Sequence, residues 1–332
     1  MKSLIIMLIF SIQIFGTTYF VKTTGNDSND GLTGSTAFLT LQKVYNTVAA
    51  GDEVYVYNGS YDMGTGGDTL KTSGTAVAWI EFIAVPDGDN EVFITQQYLN
   101  NGLIANSINY VKFIGFHWWN AARVGTGTLD FVDCSNIIFR RNFMHAETNV
   151  TNSAGFLRID NSSSIVVYGN VFNYGNSGES RGIDILNSSS SVDLQYNVFM
   201  NATGSSCEVV NLSADVNGGH VFKNNIIAFW TGSNTLVNLE SADNMSITNN
   251  DFYSVASSTK FGGAGYSSGD EGVVFTDSPS WKNFSALNPN WYSADGGVES
   301  DVDLLYNSAM ISISTELQDL GHKQRVGIEV GQ

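Results

Sequence analysis

Ile138-Phe-Arg-Arg-Asn-Phe143 is one copy of a short pattern that returns at a step of about 27 residues. Its later copies are Val166-Val-Tyr-Gly-Asn-Val171, Asp193-Leu-Gln-Tyr-Asn-Val198, Val221-Phe-Lys-Asn-Asn-Ile226 and Ser246-Ile-Thr-Asn-Asn-Asp251. A similar segment, Val111-Lys-Phe-Ile-Gly-Phe116, precedes them. Aligned on the fifth position, the copies give one column: Gly115, Asn142, Asn170, Asn197, Asn225 and Asn250.

A second column keeps nearly the same step and places one polar residue between two apolar ones. Its members are Leu129-Asp130-Phe131, Leu157-Arg158-Ile159, Ile183-Asp184-Ile185, Val210-Asn211-Leu212 and Val237-Asn238-Leu239. This alternation is typical of β-strands and not of helices. Two strand columns with one shared period predict a solenoid, because a single repeat of this length cannot bury its own apolar face.

The asparagine column is predicted to be structural. In a parallel solenoid equivalent side chains lie above one another, so the column would stack Asn142, Asn170, Asn197, Asn225 and Asn250. An amide side chain carries both donors and an acceptor, and a stack of them satisfies itself together with buried turn carbonyls. We therefore expect a ladder that holds the coils together.

The ends of the chain have their own signals. Residues 1–16 combine a basic start, a short apolar run and a small residue, which is typical of a secretory signal peptide. Residues 17–332 are predicted to form one domain, with a cap and first coil over 17–61 and irregular coils and loops over 255–332. Apolar residues at helical spacing in Leu39–Ala50 predict a short helix that covers the open end of the first coil.

The N-terminal segment carries a resemblance to a known group. The pieces that match are Tyr19-Phe-Val21, Gly25-Asn-Asp-Ser-Asn-Asp-Gly31, Leu41-Gln-Lys43, Ala50-Gly-Asp-Glu-Val-Tyr-Val56 and Gly59-Ser-Tyr61. This run resembles the start of secreted proteins of the pectate-lyase-like group, which includes family 9 pectate lyases and chondroitinase B. Asp319-Leu-Gly-His-Lys-Gln324 is similar to their closing segment.

The resemblance implies an all-β, right-handed parallel β-helix with a short N-terminal capping helix. It also implies a polysaccharide as the ligand. The matching motifs are structural, so no catalytic residue is carried over from the group.

Composition restricts the partners. The 332 residues include 15 basic and 32 acidic ones, for a formal charge of −17. Phosphate binding needs a basic surface, so we expect no nucleic-acid partner. Once the signal is removed, no stretch is long enough to cross a membrane, and we expect a secreted or surface-exposed protein. Cys134 and Cys207 are expected to be buried free thiols, and self-association stays open.

Arginine placement suggests a binding surface. Five of the six arginines fall in one part of the chain, where we expect a basic stripe across about three coils: Arg123, Arg140, Arg141, Arg158 and Arg181. Guanidinium groups hold carboxylates and sulfates with paired hydrogen bonds. The stripe predicts that an anionic polysaccharide lies in a lateral groove.

Two chemistries fit such a groove. A lyase neutralises a uronate carboxylate and needs a base for the C5 proton; the candidates are Arg158, beside Asp160 and Asp184, and then Lys223. A hydrolase needs two carboxyl groups at a defined separation, which Asp130, Asp160 and Asp184 would supply.

Further candidates serve sugar and metal binding. Trp118, Tyr174 and Trp230 follow the asparagine column and are candidate platforms for sugar rings. The loop Asn26-Asp-Ser-Asn-Asp-Gly31 has the spacing of a calcium loop, although it lacks the acidic twelfth position. Asp27 and Asp30 are therefore candidates for Ca²⁺ or, alternatively, for capping turns.

Two functional hypotheses stay open at this stage. In the first, the protein binds and cleaves an extracellular polysaccharide or cell-surface glycan as a lyase or hydrolase. In the second, it is a non-catalytic adhesin, phage or virion fibre that uses the solenoid as a rigid rod.

Overall fold

The structure is a computed structural model in which the strands follow the predicted period. It describes residues 16–64, 66–87, 91–96, 102–120, 129–146, 151–174, 179–200, 202, 207–213, 215–230, 235–240, 245–255, 260–264 and 274–275. The statements below concern these residues.

The strands form three parallel sheets, named A, B and C, which the chain visits in that order in each coil. Sheet A contains β1 (Thr18–Val21), β2 (Glu53–Tyr57), β5 (Ile80–Val85), β8 (Asn109–Ile114), β11 (Ser135–Arg140), β14 (Ser163–Tyr168), β17 (Ser190–Gln195), β20 (His220–Lys223) and β23 (Met245–Thr248). Sheet B contains β3 (Gly59–Asp62), β6 (Val92–Gln96), β9 (His117–Asn120), β12 (Phe143–Ala146), β15 (Val171–Asn173), β18 (Val198–Met200), β21 (Ile226–Trp230), β24 (Asn250–Val255) and β26 (Val274–Phe275). Sheet C contains β4 (Asp68–Leu70), β7 (Leu103–Asn106), β10 (Leu129–Val132), β13 (Thr151–Asp160), β16 (Glu179–Leu186), β19 (Glu208–Leu212), β22 (Val237–Leu239) and β25 (Phe261–Gly262).

The coils stack in register, which confirms the predicted parallel β-helix. On sheet C, Leu129 pairs with Leu157, Leu157 with Ile183, and Ile183 with Val210. These side chains point inward and are fully buried, whereas the residue between each apolar pair faces outward. The polar-between-apolar pattern is therefore the alternation of strands that are buried on one face.

The interior is a set of continuous apolar stacks. Phe82 stacks on Phe113 with ring centroids 5.3 Å apart, and Phe172 stacks on Phe199 at 4.7 Å. Each fully buried large apolar side chain contributes roughly 1.5–3 kcal/mol relative to exposure. Such a core does not depend on disulfides, and the prediction that Cys134 and Cys207 are buried free thiols is confirmed.

The asparagine ladder is present between sheets A and B. The backbone N–H of Asn142 donates to Oδ1 of Asn170 at 2.9 Å, and Nδ2 of Asn142 donates to the same oxygen and to the Phe113 carbonyl. The same bonds run on through Asn197, Asn225 and Asn250. All five side chains are at most 1% exposed, so the structural interpretation of the column is confirmed.

One alignment in the column was wrong by a residue. The ladder begins at Phe116, whose N–H donates to Oδ1 of Asn142 at 3.0 Å, and Val111 pairs with Ile137. Gly115 instead occupies the left-handed position that precedes each ladder asparagine. The residues at that position, with φ between 55° and 83°, are Gly115, Arg141, Gly169, Tyr196, Asn224 and Asn249.

The N-terminal cap contains a helix shorter than the predicted Leu39–Ala50. Helix α1 spans Leu41–Tyr45, and the Thr40 side chain caps it by accepting a hydrogen bond from the Lys43 N–H. Leu41, Val44 and Tyr45 are buried against the end of the core. In the turn between the helix and β2, the Asp52 carboxylate accepts hydrogen bonds from the N–H groups of Ala49 and Thr17 at 2.7 and 2.6 Å.

A second, shorter ladder between sheets C and A was not predicted. The N–H of Cys134 donates to Oγ of Ser162 at 2.9 Å, and the N–H of Ser162 donates to Oγ of Ser189 at 3.1 Å. The serines share the step of the asparagine ladder, which is the signal that could have revealed them. Like the asparagines, Ser162 and Ser189 accept hydrogen bonds from the backbone of the neighbouring coil, and they join the coils at the corner between sheets C and A.

Some predictions lie outside the described residues. These are the signal segment up to residue 15, Arg123, most of 255–332 and the closing segment Asp319–Gln324. In the part that the structure describes, no helix has the length and apolar character needed to cross a membrane.

Candidate functional site

A column of polar side chains runs along the outer face of sheet C. Asp130 pairs with Arg158, Arg158 with Asp184, Asp184 with Asn211, and Asn211 with Asn238. Further charged residues adjoin this column, and together they form what we call the sheet C cluster: Asp130, Arg158, Asp160, Arg181, Asp184 and Glu208. Adjacent parallel strands lie roughly 4.8 Å apart, so these charges are packed closely.

Arg158 and Asp160 form the first ion pair of the cluster. The Arg158 guanidinium donates to one carboxylate oxygen of Asp160, and the Asn187 side-chain amide donates to the other. The Asp160 side chain is 8% exposed and that of Arg158 is 30% exposed. Two donors therefore fix the orientation of a nearly buried carboxylate while the arginine still reaches solvent.

Asp184 is a buried acid of the cluster, with 6% of its surface exposed. Its Oδ1 accepts from Nδ2 of Asn211 at 3.0 Å and faces Nη1 of Arg181 at 3.4 Å. Burial raises the pKa of Asp184 above its ordinary value, and Arg181, Asn211 and Arg158 only partly offset this effect. The carboxyl thus retains its proton to a higher pH than an exposed aspartate does.

Glu208 is a site residue that the sequence reasoning missed. It pairs with Arg181 across sheet C, and its Oε2 lies 3.1 Å from Nε of Arg181. Burial raises the pKa of Glu208, Arg181 opposes the shift, and the neighbouring Asp184 adds to it. The signal was available, because Glu208 lies one coil step after Arg181.

A glycine makes room beside the Asp184 carboxyl. A β-carbon at Gly155 would lie 3.2 Å from Oδ2 of Asp184, and the pairing of β13 with β16 is irregular between Thr151 and Gly155. The absence of a side chain keeps this oxygen uncrowded. Any larger residue at position 155 would press on the carboxyl group.

The predicted basic stripe is wrong. Arg140 ends a sheet A strand and Arg141 begins the turn toward sheet B, whereas Arg158 and Arg181 lie on sheet C with acidic partners. Lys223 also lies on sheet A, so it does not join Arg158, Asp160 and Asp184. The repeat period shows which coil a residue belongs to but not which sheet it lies on, and the structure places these cations on two different faces.

The three aromatic platforms are also wrong as exposed sugar-stacking groups. Trp118, Tyr174 and Trp230 are at most 1% exposed and belong to the core. The Trp118 indole N–H donates to Asn142, and the Tyr174 hydroxyl donates to the Glu208 carbonyl at 2.8 Å. The rings of Tyr174 and Trp230 meet edge to face at 4.8 Å. Alternation places Trp118 and Tyr174 on the inward side.

The N-terminal acidic loop caps turns. Asp27 accepts from the N–H groups of Leu39 and Thr40 and from the Thr40 hydroxyl. Asp30 accepts from the Leu32 N–H at 3.0 Å. These contacts match the capping alternative. Over the described ranges, no three His, Cys, Asp or Glu side chains are grouped so as to hold a metal ion.

Solved structures similar to this chain include several lyases. A rhamnogalacturonan lyase has 14% identity and a TM-score of 0.46, over 72% of this chain and 74% of that one. The alginate lyase from Paenibacillus sp. str. FPU-7 has 13% identity and a TM-score of 0.39, over 64% and 73%. The pectate lyase Pel9A has 14% identity and a TM-score of 0.38, over 89% and 91%. No protein-family profile and no curated protein matches the sequence. Similarity this low carries no argument about activity.

Proposed function

We propose that this protein is an exported enzyme that cleaves an extracellular polysaccharide by hydrolysis on the outer face of sheet C. The observation that carries the proposal is that Asp184, an enclosed acid whose pKa is raised by burial, lies near the ion-paired carboxylate of Asp160, with Arg181 and Glu208 beside it. Glycoside hydrolysis needs such unlike carboxyl groups, one that donates a proton and one that accepts it.

Asp184 suits the role of proton donor. Its raised pKa keeps the carboxyl protonated where exposed aspartates are ionised, and the space at Gly155 leaves one oxygen accessible to a glycosidic oxygen. Asn211 and Arg181 hold the other oxygen and so orient the group.

Asp160 suits the role of base. It lies one strand and two residues from Asp184, roughly 7–8 Å away at Cα. Carboxyl groups that activate a water opposite the leaving group are roughly 6.5–9.5 Å apart, and side chains on one face at this Cα spacing can reach that separation. Arg158 and Asn187 orient the Asp160 carboxylate for that water. Glu208 and Arg181 then act as positioning residues for Asp184.

Hydrolysis is favoured over β-elimination by the cations. A lyase needs a positive group that neutralises a uronate and a base that removes the C5 proton. In the sheet C cluster Arg158 and Arg181 both form ion pairs with acids. The cluster has four carboxyl groups and two guanidinium groups, so its net charge is negative. Lys223, the other candidate base, is on a different sheet.

The test is an activity assay over a panel of neutral and uronate-containing polysaccharides. Released reducing ends report any cleavage, and absorbance of an unsaturated product reports elimination alone. Asp184→Asn and Asp160→Asn are each expected to lower kcat by about 10²- to 10⁴-fold. Asp193→Asn is the matched control, because Asp193 lies on sheet A and its carboxylate bonds to Gln195.

The outcomes separate the hypotheses. Reducing ends without unsaturated product, lost in both sheet C variants and kept in Asp193→Asn, support hydrolysis. Unsaturated product identifies a lyase instead. If no polysaccharide in the panel is cleaved, the non-catalytic fibre or adhesin hypothesis is favoured instead.

A further inference from the structure

A second polar surface lies on the outer face of sheet A, away from the sheet C cluster. Arg140 pairs with Tyr168, Tyr168 with Gln195, and Gln195 with Lys223, so these residues form one outward column. Arg141 and Tyr196 follow directly in the turns toward sheet B. We call Arg140, Arg141, Tyr168, Tyr196 and Lys223 the sheet A patch. Arg140 and Lys223 lie three strands apart, roughly 14 Å.

The patch is positive in a chain whose formal charge is −17. Along the outward positions of β11, β14, β17 and β20 and the turns that follow them, the charged residues are Arg140, Arg141, Lys223 and Asp193. The Gln195 amide lies 2.6 and 2.7 Å from the two Asp193 carboxylate oxygens, so this acid already has a neutral partner. Three cations therefore face one carboxylate here.

Two of these cations stand next to each other. Burial lowers the pKa of Arg141, and the nearby Arg140 guanidinium lowers it further. Within the described part of the chain, Nε of Arg140 is buried and has no hydrogen-bond acceptor. A buried donor beside a like charge is unfavourable until an anion accepts from it.

Backbone conformation points to the same side chains. Arg141 and Tyr196 have φ of 56° and 57°, in the left-handed region that costs a side-chain-bearing residue conformational energy. The equivalent positions in other coils are Gly115, Gly169, Asn224 and Asn249; glycine adopts this conformation without strain, and asparagine tolerates it better than arginine or tyrosine does. The fold accepts glycine there, so the patch retains its arginine and tyrosine at an energetic cost.

The tyrosines provide a surface for sugar rings. Tyr168 and Tyr196 meet edge to face with centroids 5.0 Å apart. Tyr196 is 6% exposed and supports the half-buried Tyr168 ring, which lies between Arg140 and Gln195 on the column. A tyrosine ring can pack its apolar face against a pyranose ring while its hydroxyl bonds to sugar hydroxyls. The flanking cations can bind the acidic substituents of such a sugar.

We propose that the sheet A patch is a non-catalytic binding surface for an anionic polysaccharide, which carries carboxylate or sulfate groups. It retains an attached chain by contacts separate from those that cleave glycosidic bonds on sheet C. This surface takes the anionic ligand that the arginine distribution indicated, but on a face where, among the described residues, Arg140 and Lys223 form no ion pair with an acid.

The experiment measures binding of the full-length protein to three polymers at low and moderate salt: alginate, dextran sulfate and neutral dextran. The test variant is the double substitution Arg140→Gln/Lys223→Gln. Lys112→Gln is the matched control, because Lys112 lies on the same face but is paired with Glu81 at 2.6 Å. Asp184→Asn separates this surface from the proposed catalytic site.

We expect binding to at least one anionic polymer and none to dextran, with affinity that falls as salt rises. Alginate binding identifies carboxylate recognition, and dextran sulfate binding identifies sulfate recognition. The double variant is expected to weaken the interaction by about tenfold or more, while Lys112→Gln and Asp184→Asn change it less than about twofold. Unchanged thermal midpoints show that the variants are folded.

Three results overturn the proposal. They are no binding to either anionic polymer, equal binding to dextran, and binding that the double variant retains. A loss of binding in Asp184→Asn, with the double variant unaffected, would move the ligand to sheet C. Cleavage that disappears in Asp184→Asn while binding persists leaves both proposals standing.

Discussion

The sheet A patch and the sheet C cluster are built on the same strands-in-register geometry and yet carry net charges of opposite sign. In the sheet C cluster Arg158 lies against Asp160, and Arg181 lies against Asp184 and Glu208. Along the outward positions of β11 to β20 on sheet A and the turns that follow them, Arg140, Arg141 and Lys223 are accompanied by one acid, Asp193, which bonds to Gln195. The difference teaches that the coil period decides where a side chain stands, whereas its cross-strand neighbours decide what it can do.

Sheets A and C enclose one apolar core, and Asp68 is a titratable residue whose side chain lies within that core. Asp68 occupies the inward column of sheet C, where Leu103 and Leu129 follow it, and it is 6% exposed. Burial and then the nearby Asp62 raise the pKa of Asp68 to about 7. The folded protein therefore holds a proton there that the unfolded chain loses near its ordinary pKa of 3.8.

Asp68→Asn is accordingly expected to produce the largest change in stability. The folded-state pKa lies above the unfolded one, so the wild-type free energy of unfolding falls as pH rises from about 4 to 7 and stays low above that. The variant removes this loss. It should be more stable than wild type by up to about 4 kcal/mol at pH 8 and nearly equal to it below pH 4. Urea denaturation at both pH values measures this, and a gain that is independent of pH would contradict it.

Asn197→Ala tests what the two faces have in common, which is the stacking of coils: the ladder between sheets A and B joins successive coils, and each coil contributes a strand to both faces. The substitution removes the acceptor of the Asn170 N–H and Nδ2 groups and the donor to the Val167 carbonyl. Each buried polar group left unsatisfied costs about 1–3 kcal/mol, so a loss of about 3 kcal/mol or more is expected. Denaturation of Asn238→Ala is the control, since Asn238 donates only to the outward-facing Asn211 in the contacts found for it.

The ladder was predictable because its physics is local and repeated. Asn142, Asn170 and Asn197 share one step, and an in-register stack of amides satisfies its own hydrogen bonds. The alignment failed only at Gly115. The step from Phe116 to Asn142 is 26 residues, one fewer than the step from Gly115 that the alignment used, and Gly115 fills the left-handed position before the ladder. The register of one coil depends on turn lengths that a repeat pattern does not resolve.

The candidate site was predictable only in part. Arg158, Asp160 and Asp184 do lie together, because they belong to one strand column. Lys223 does not, since it ends the strand of a different sheet, and Trp118 and Tyr174 face the core because inward and outward positions alternate. Glu208 was missed because one coil step relates it to Arg181 but no motif marks it. Assignment to a face requires the number of strands per coil, which the period alone does not give.

The smallest expected effect sharpens the contrast between the two faces. Arg158→Gln leaves the Asp160 carboxylate, which is 8% exposed, with Asn187 as the remaining donor found for it, so we expect a loss of about 1 kcal/mol. Arg140→Gln removes a cation that opposes Arg141 and has no ion pair among the described residues, so stability should change by less than about 0.5 kcal/mol. Matched urea denaturation curves measure the pair. Raised salt should narrow the difference, because it screens the Arg158 pair more than it affects Arg140. Equal losses at both positions would show that the cations of sheet A are as firmly neutralised as those of sheet C, and the distinction between a catalytic and a binding face would then fail.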